Sequence, residues 1–251
     1  MEVNVKRVLV TLGAVAALAT GAVAGGGAHW GYSGSIGPEH WGDLSPEYLM
    51  CKIGKNQSPI DINSADAVKA CLAPVSVYYV SDAKYVVNNG HTIKVVMGGR
   101  GYVVVDGKRF YLKQFHFHAP SEHTVNGKHY PFEAHFVHLD KNGNITVLGV
   151  FFKVGKENPE LEKVWRVMPE EPGQKRHLTA RIDPEKLLPE NRDYYRYSGS
   201  LTTPPCSEGV RWIVFKEPVE MSREQLEKFR KVMGFDNNRP VQPLNARKVM
   251  K

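Results

Sequence analysis

Three histidines carry the most chemistry in this 251-residue chain. His116-Phe117-His118 places two imidazoles at i and i+2 in a run of alternating character, so in an extended strand both leave the same face. His135, within Glu133-Ala134-His135-Phe136-Val137, lies in a second run of the same alternation, which a neighbouring strand can bring to the same point. Three neutral imidazoles and one vacant position form the catalytic arrangement of zinc, whereas structural zinc sites close all four positions with protein ligands. Gln114 stands two residues before His116 and Glu133 two before His135, each on the face of its histidine. Each can accept the other ring N–H, which fixes the tautomer of a metal-bound imidazole and raises its basicity. With ten histidines in the chain, one His-x-His pair could arise without function; the third histidine and the two placed acceptors make the pattern a metal site. His29, His40, His129, His138 and His177 read as surface or locally hydrogen-bonded side chains, and His138, three residues after His135, falls on the opposite strand face.

The elements that must position these groups are mostly strands. Segments 75–80, 92–97, 102–105, 108–118, 132–139 and 145–154 are rich in β-branched and aromatic residues. Asp106-Gly107 is a two-residue hairpin signal, and Asn126-Gly127 and Asn142-Gly143 tolerate positive φ in reversals, so the pairing is expected to be mostly antiparallel. Helical signals are confined to 159–167 and the stretch after Ser222, where Ser222 and Gln225 form a capping-box pattern. Residues 29–63 read as irregular coil held by packing. No repeat, heptad or low-complexity linker divides the chain, so one domain is expected.

Lys6-Arg7 followed by an apolar run over 8–19 and small residues at Ala22-Val23-Ala24 is the pattern of an export signal, too short for a membrane span and expected to be removed after Ala24. That division gives 1–24 as signal peptide and 25–251 as the catalytic domain, with a periplasmic or secreted destination and no membrane anchor afterwards. The chain is basic, with a formal net charge of +7, but its cations are interspersed with acids, as in Lys156-Glu157 and Arg223-Glu224, which argues against a nucleic-acid partner. Export permits disulfides; Cys51, Cys71 and Cys206 allow three pairings and leave one thiol over.

In order along the chain stand Trp30-Gly31-Tyr32, Gly37-Pro38-Glu39-His40-Trp41, Gln57-Ser58-Pro59-Ile60-Asp61-Ile62, Asn88-Asn89-Gly90-His91, Gln114-Phe115-His116-Phe117-His118, Ser121-Glu122-His123, Glu133-Ala134-His135, Ser200-Leu201-Thr202-Thr203-Pro204-Pro205-Cys206 and Arg239-Pro240-Val241-Gln242-Pro243-Leu244. With these motifs the chain resembles the α-class carbonic anhydrases from Trp30 to Arg247. The resemblance implies a mainly β (α+β) single domain around a twisted, mostly antiparallel sheet of about ten strands, with peripheral short helices and one Zn2+ in a conical cleft. It implies reversible hydration of carbon dioxide to bicarbonate and a proton by zinc-bound hydroxide, with weak ester hydrolysis as a side activity. His116, His118 and His135 would hold the metal, and Gln114, Glu133 and the carbonyl of Asn237 would hold the ligands.

The resemblance also assigns roles away from the metal. Thr202 would donate its one hydroxyl proton to Glu122 and so accept from the zinc-bound hydroxide, orienting it. Val137, Val147, Leu201, Val210 and Trp212 would line an apolar pocket for carbon dioxide. His91, at an unperturbed pKa of about 6.5, would relay the released proton, with Tyr32, Asn89 and Thr203 holding the intervening waters. Bacterial members suggest that Cys51 pairs with Cys206, closing a loop of roughly 155 residues for about 5 kcal/mol at most. Cys71 is then free to join subunits of a homo-oligomer, a dimer or tetramer. Sulfonamides and anions are the expected inhibitors. Lys94 departs from the pattern, since several members carry a neutral polar residue there. A non-catalytic binding module on the same fold is the competing reading, opposed by the intact ligand set; a zinc peptidase is opposed by the lack of any His-Glu-x-x-His segment.

Overall fold

Alternating apolar side chains over 108–118, 132–139 and 145–154 build the three strands at the centre of the molecule. The computed structural model describes residues 27–251, so the expected export signal lies outside the described residues. The strands are β1 (Asp61–Ile62), β2 (Ser76–Tyr78), β3 (Ala83–Asn88), β4 (Ile93–Met97), β5 (Tyr102–Val105), β6 (Lys108–His118), β7 (Thr124–Val125), β8 (Lys128–His129), β9 (Phe132–Leu139), β10 (Ile145–Val154), β11 (Lys175–His177), β12 (Tyr194–Ser200), β13 (Glu208–Phe215) and β14 (Val219–Met221). The helices are α1 (Trp41–Leu44), α2 (Met50–Ile53), α3 (Pro159–Trp165) and α4 (Arg223–Met233).

Eleven strands form one sheet, ordered β11-β3-β4-β6-β9-β10-β13-β12, and β1, β7 and β8 form a small second sheet. The long strands β6 and β10 each take two short partners on one side: β4 and β5 share β6, while β13 and β14 share β10. The expected hairpins form. Asp106-Gly107 turns β5 into β6 and Asn126-Gly127 turns β7 into β8, all four residues at positive φ. Antiparallel pairs dominate, but β10 runs parallel to β13 and β14, so the sheet is mixed. The long excursion through α3, β11 and the β12–β13 pair supplies the crossover that parallel pairing needs.

Both expected helices are present. Asn158 caps α3, whose first residue is Pro159, and Ser222 with Gln225 closes a capping box on α4. The two helices cover one face of the sheet, where Phe115, Phe117, Phe132, Phe136, Trp165 and Phe229 are fully or almost fully buried. Trp165 Nε1 donates to Gln225 O at 2.8 Å, which ties α3 to α4 and pairs the buried indole N–H.

Segment 29–63 is not plain coil as its lack of periodicity suggests: it holds α1, α2 and short 3-10 turns, each of four residues or fewer and too short to show a period. Strands β1, β3, β7, β8, β11, β12, β13 and β14 lie outside the segments that alternation marks. In β12 the pattern is broken at Gly199, where the strand bulges and where a Cβ would meet Ser58 Oγ at 2.1 Å, so only glycine fits.

Candidate metal centre and active site

The β6–β9 register sets His116 directly opposite His135, and His118 opposite Glu133. One face of this strand pair therefore carries all three histidines, and one ring nitrogen from each lies within 4.8 Å of the others. The remaining ring nitrogen of each is already engaged. His116 Nδ1–H donates to Gln114 Oε1 at 2.8 Å, His118 Nδ1–H to the Asn237 carbonyl at 2.7 Å and His135 Nε2–H to Glu133 Oε1 at 2.8 Å. These bonds aim His116 Nε2, His118 Nε2 and His135 Nδ1 inward as lone pairs. His118 Nε2 is buried with no hydrogen-bond partner, an arrangement that costs free energy unless something else coordinates it. A cation that accepts three imidazole lone pairs is the group that fits, and zinc suits this donor set.

Electrostatics favour the neutral ring at His116 and His118 and act the other way at His135. Burial, then the neighbouring rings and Lys94, pushes the His116 pKa well down, and burial lowers that of His118. Burial also acts on His135, but the Glu133 carboxylate against its Nε2 outweighs it and raises the pKa. Burial alone would raise Glu133; His123 and His135 against its oxygens hold it well below the carboxylate range. Glu133 is fully occupied: Oε2 accepts from the backbone N–H of Glu122 and of His123, both at 2.9 Å, and Oε1 accepts from His123 Nδ1 at 2.7 Å as well as from His135.

Most of the chain matches known proteins. The family model for eukaryotic-type carbonic anhydrase matches residues 36–251. The chain belongs to the α-carbonic anhydrase family. A carbonic anhydrase from Klebsiella pneumoniae is 49% identical over 88% of this chain and 90% of its own. Among solved structures, a hyperthermostable carbonic anhydrase from an active hydrothermal vent chimney is 62% identical, with a TM-score of 0.86 over 88% of this chain and 99% of its own. The Photobacterium profundum α-carbonic anhydrase is 49% identical, with a TM-score of 0.84 over 89% and 100%.

The chain is thus a carbonic anhydrase, a lyase of a zinc-dependent family, and its cleft can be read on those terms. The three histidines line a cavity of about 280 Å³. Val137, Val147, Leu201 and Trp212 line it, together with Ile145, which sequence alone did not single out. Val210 lies on the same strand face as Trp212 and packs in the cluster behind the wall, outside the lining set. Thr202, Thr203, Asn89 and Tyr32 also line the cleft.

Glu122 is fully buried. Its Oε1 accepts from Arg239 N at 2.9 Å, while Oε2 has no partner and lies 3.6 Å from His118 Nε2 and 3.7 Å from His135 Nδ1. Asn237 does more than hold His118. Its Oδ1 accepts from Ala119 N, and its Nδ2 donates to the carbonyls of Phe117 and His91, joining the end of β6 to the His91 turn. Asn89 Oδ1 accepts from the N–H of His91 and of Thr92, which shapes that turn. The His91 ring stacks on Trp30, centroids 3.7 Å apart and planes 7° from parallel. Burial, with a smaller contribution from His29, lowers its pKa to about 4, well under the unperturbed value on which a relay near neutrality would draw.

His123 and Tyr197 join the site without having shown themselves by spacing. His123 Nε2 accepts from Tyr197 O–H at 2.7 Å, the tyrosine oxygen is 2.8 Å from Ser58 Oγ, and Ser58 Oγ accepts from Ser200 N at 3.0 Å. A continuous chain of buried hydrogen bonds so connects His135 to the segment preceding Thr202. On the other side of that loop Cys206 is bonded to Cys51, and Gln57 Nε2 donates to the Cys206 carbonyl. Cys71 is an exposed free thiol. Among the described residues no helix is long and apolar enough to cross a membrane.

Proposed function

We propose that this carbonic anhydrase hydrates carbon dioxide reversibly to bicarbonate and a proton, with zinc on His116, His118 and His135. The observation that carries the reading is the set of three inward ring nitrogens, each fixed by an acceptor behind it, in a cleft with an apolar wall. Zinc on His116, His118 and His135 would supply a water acidified enough to act as a nucleophile near neutral pH, an effect for which carbonic anhydrases are themselves the standard example.

The protein's part is to hold, orient and exclude. As a carboxylate Glu122 can only accept, and its Oε2 has no hydrogen-bond partner in the structure, so this reading requires the Thr202 hydroxyl to donate to it, which would leave the Thr202 oxygen to accept from the nucleophile and orient it toward the substrate carbon. Carbon dioxide is small, uncharged and apolar, and it rests against Val137, Val147, Leu201 and Trp212, which keep that side of the cleft dry. The proton produced leaves by way of His91, with waters held by Tyr32, Asn89 and Thr203. Stacked on Trp30 the ring binds protons too weakly for this, so the relay requires His91 to leave the stack and regain an affinity near its ordinary value. The same nucleophile accounts for weak hydrolysis of activated esters, and the cleft takes sulfonamide and anion inhibitors.

The mature protein begins after Ala24 and works in the periplasm or outside the cell, a setting that the Cys51–Cys206 bond favours. It assembles as a dimer or tetramer, with the exposed Cys71 thiol as a bridge between subunits. Hydration assays on the His118→Ala variant test the core of the reading: loss of zinc and of activity together is expected, and normal hydration by a metal-free variant would overturn it. Nonreducing electrophoresis of the parent and Cys71→Ser tests the bridge, which fails if both run alike.

A further inference from the structure

The cleft contains one charge for which hydration of a neutral gas provides no use. Of the described residues that line it, Lys94 is the only lysine or arginine, and none is an aspartate or glutamate. Lys94 lies in β4 directly across the ladder from His116, so its side chain leaves the same face of the sheet as the metal ligands. It is half-buried, and among the described residues no hydrogen bond or ion pair engages its ammonium. The lysine pKa is lowered by burial alone, with no carboxylate acting to raise it, whereas that of Arg196, bonded to Asp106, is raised. Its charge also reaches His116, where it counts among the causes of that ring's lowered pKa.

An unpaired, partly desolvated ammonium is costly to keep and attracts small anions strongly, because water screens it less than it screens a surface lysine. The reaction consumes a neutral molecule and makes a monoanion. We propose that Lys94 is an anion-holding residue of the cleft, which binds bicarbonate and other small monoanions through a charge-assisted contact beside the metal ligands. It acts on affinity for anions, and the neutral substrate gives it nothing to grip. This inference rests on the hydration reading of the same cleft.

The test is calorimetric titration of thiocyanate, a small monoanion, into the zinc-loaded parent and into Lys94→Met, Lys94→Gln and Lys94→Arg, with zinc content and melting temperature recorded for each. Methionine keeps much of the apolar stem and removes the charge; arginine keeps the charge and changes the shape. The dissociation constant is expected to rise about fivefold in the methionine and glutamine variants, the scale of one partly screened charge pair, and to return toward the parent value with arginine. Raising the salt concentration should shrink the difference between parent and Lys94→Met. Equal thiocyanate affinity in the parent and both neutral variants overturns the role of Lys94 while a hydrating parent leaves the functional reading intact. A zinc-loaded parent that fails to hydrate carbon dioxide sinks that reading instead, and a thiocyanate affinity that still follows the charge at position 94 upholds the anion site. Loss of affinity in Lys94→Arg equal to that in Lys94→Met would assign the effect to packing and also overturn the proposal.

Discussion

The two faces of the β6–β9 strand pair are made from alternate residues of the same two segments, yet they share almost nothing in chemistry. One face carries Gln114, His116, His118, Glu133, His135 and Val137; the other carries Phe115, Phe117, Phe132, Ala134, Phe136 and His138. The first is polar and opens on a cleft, and the ring nitrogen of each histidine that does not point inward is engaged by Gln114, Asn237 or Glu133. The second is sealed beneath α3 and α4 by edge-to-face and stacked aromatic contacts, such as Phe117 on Trp165 at 5.0 Å and Phe115 on Phe136 at 5.1 Å. The difference shows how a metal site is made rigid without many contacts of its own. A strand cannot rotate its histidines while the intervening phenylalanines are locked in a close-packed core.

The sharpest break of this comparison is on the cleft face. His135→Ala should leave the fold standing and abolish both zinc retention and hydration, which metal analysis and a hydration assay on the same sample will show. On the core face Phe117→Ala should do the reverse, with a loss of about 3–5 kcal/mol of stability in denaturant unfolding and zinc still bound below the transition. If the two variants gave the same pattern, the division of labour between the faces would be wrong. A milder cut is Glu133→Ala, which removes an acceptor and strands His123 as well; zinc affinity should fall about 10–100-fold, measured by competition with a chelator.

Much of the cleft face was legible in the sequence because its residues lie on strands, where a period of two converts spacing into direction. His116, His118, Gln114 and Glu133 could be placed on one side of a sheet from numbering alone. The loop residues could not be. Thr202 and His91 stand in segments without a period, and only the resemblance to a family assigned them roles. The His123–Tyr197–Ser58 chain joins residues far apart in sequence, and no local signal marks such a bond. The core side was partly legible for a similar reason. β6, β9 and β10 announce themselves by long alternation, while β12 is interrupted by the glycine that lets Ser58 approach, and α1 and α2 are single turns. His138 falls on the strand face opposite His135, as its spacing predicts, but it is neither at the surface nor bonded only locally: it is fully buried, and one of its two partners, Tyr79, is distant in sequence.

His138 is the one histidine on the core face of β9, and its behaviour sharpens the comparison further. Its Nδ1–H donates to the Thr146 carbonyl and its Nε2 accepts from Tyr79 O–H, so the buried ring is held neutral. Burial lowers its pKa to about 3. The unfolded chain protonates this ring near its ordinary value of about 6.5, so below that pH the unfolded state binds more protons and stability falls with pH. The expected slope from this group is about 1.4 kcal/mol per pH unit between the two values. Denaturant unfolding at pH 7 and pH 5 measures it, and His138→Gln should flatten the dependence; an unchanged slope would remove His138 as its source.

The smallest expected effect concerns the rim of the cleft. Trp30→Ala removes the ring on which His91 stacks, and the His91 pKa should climb from about 4 toward the ordinary imidazole range as water reaches it. Proton NMR titration of the imidazole gives the value directly. A pKa that stayed near 4 would show that something other than the Trp30 stack holds it down.

The most direct trial of the metal site is to strip the protein with a chelator, titrate zinc back and follow bound metal and carbon dioxide hydration on the same samples. One zinc per chain should bind, and hydration should rise in proportion to occupancy and stop at one equivalent. Full hydration activity in the stripped protein, or one bound zinc with no hydration at all, would contradict the assignment of His116, His118 and His135 as the centre of the chemistry.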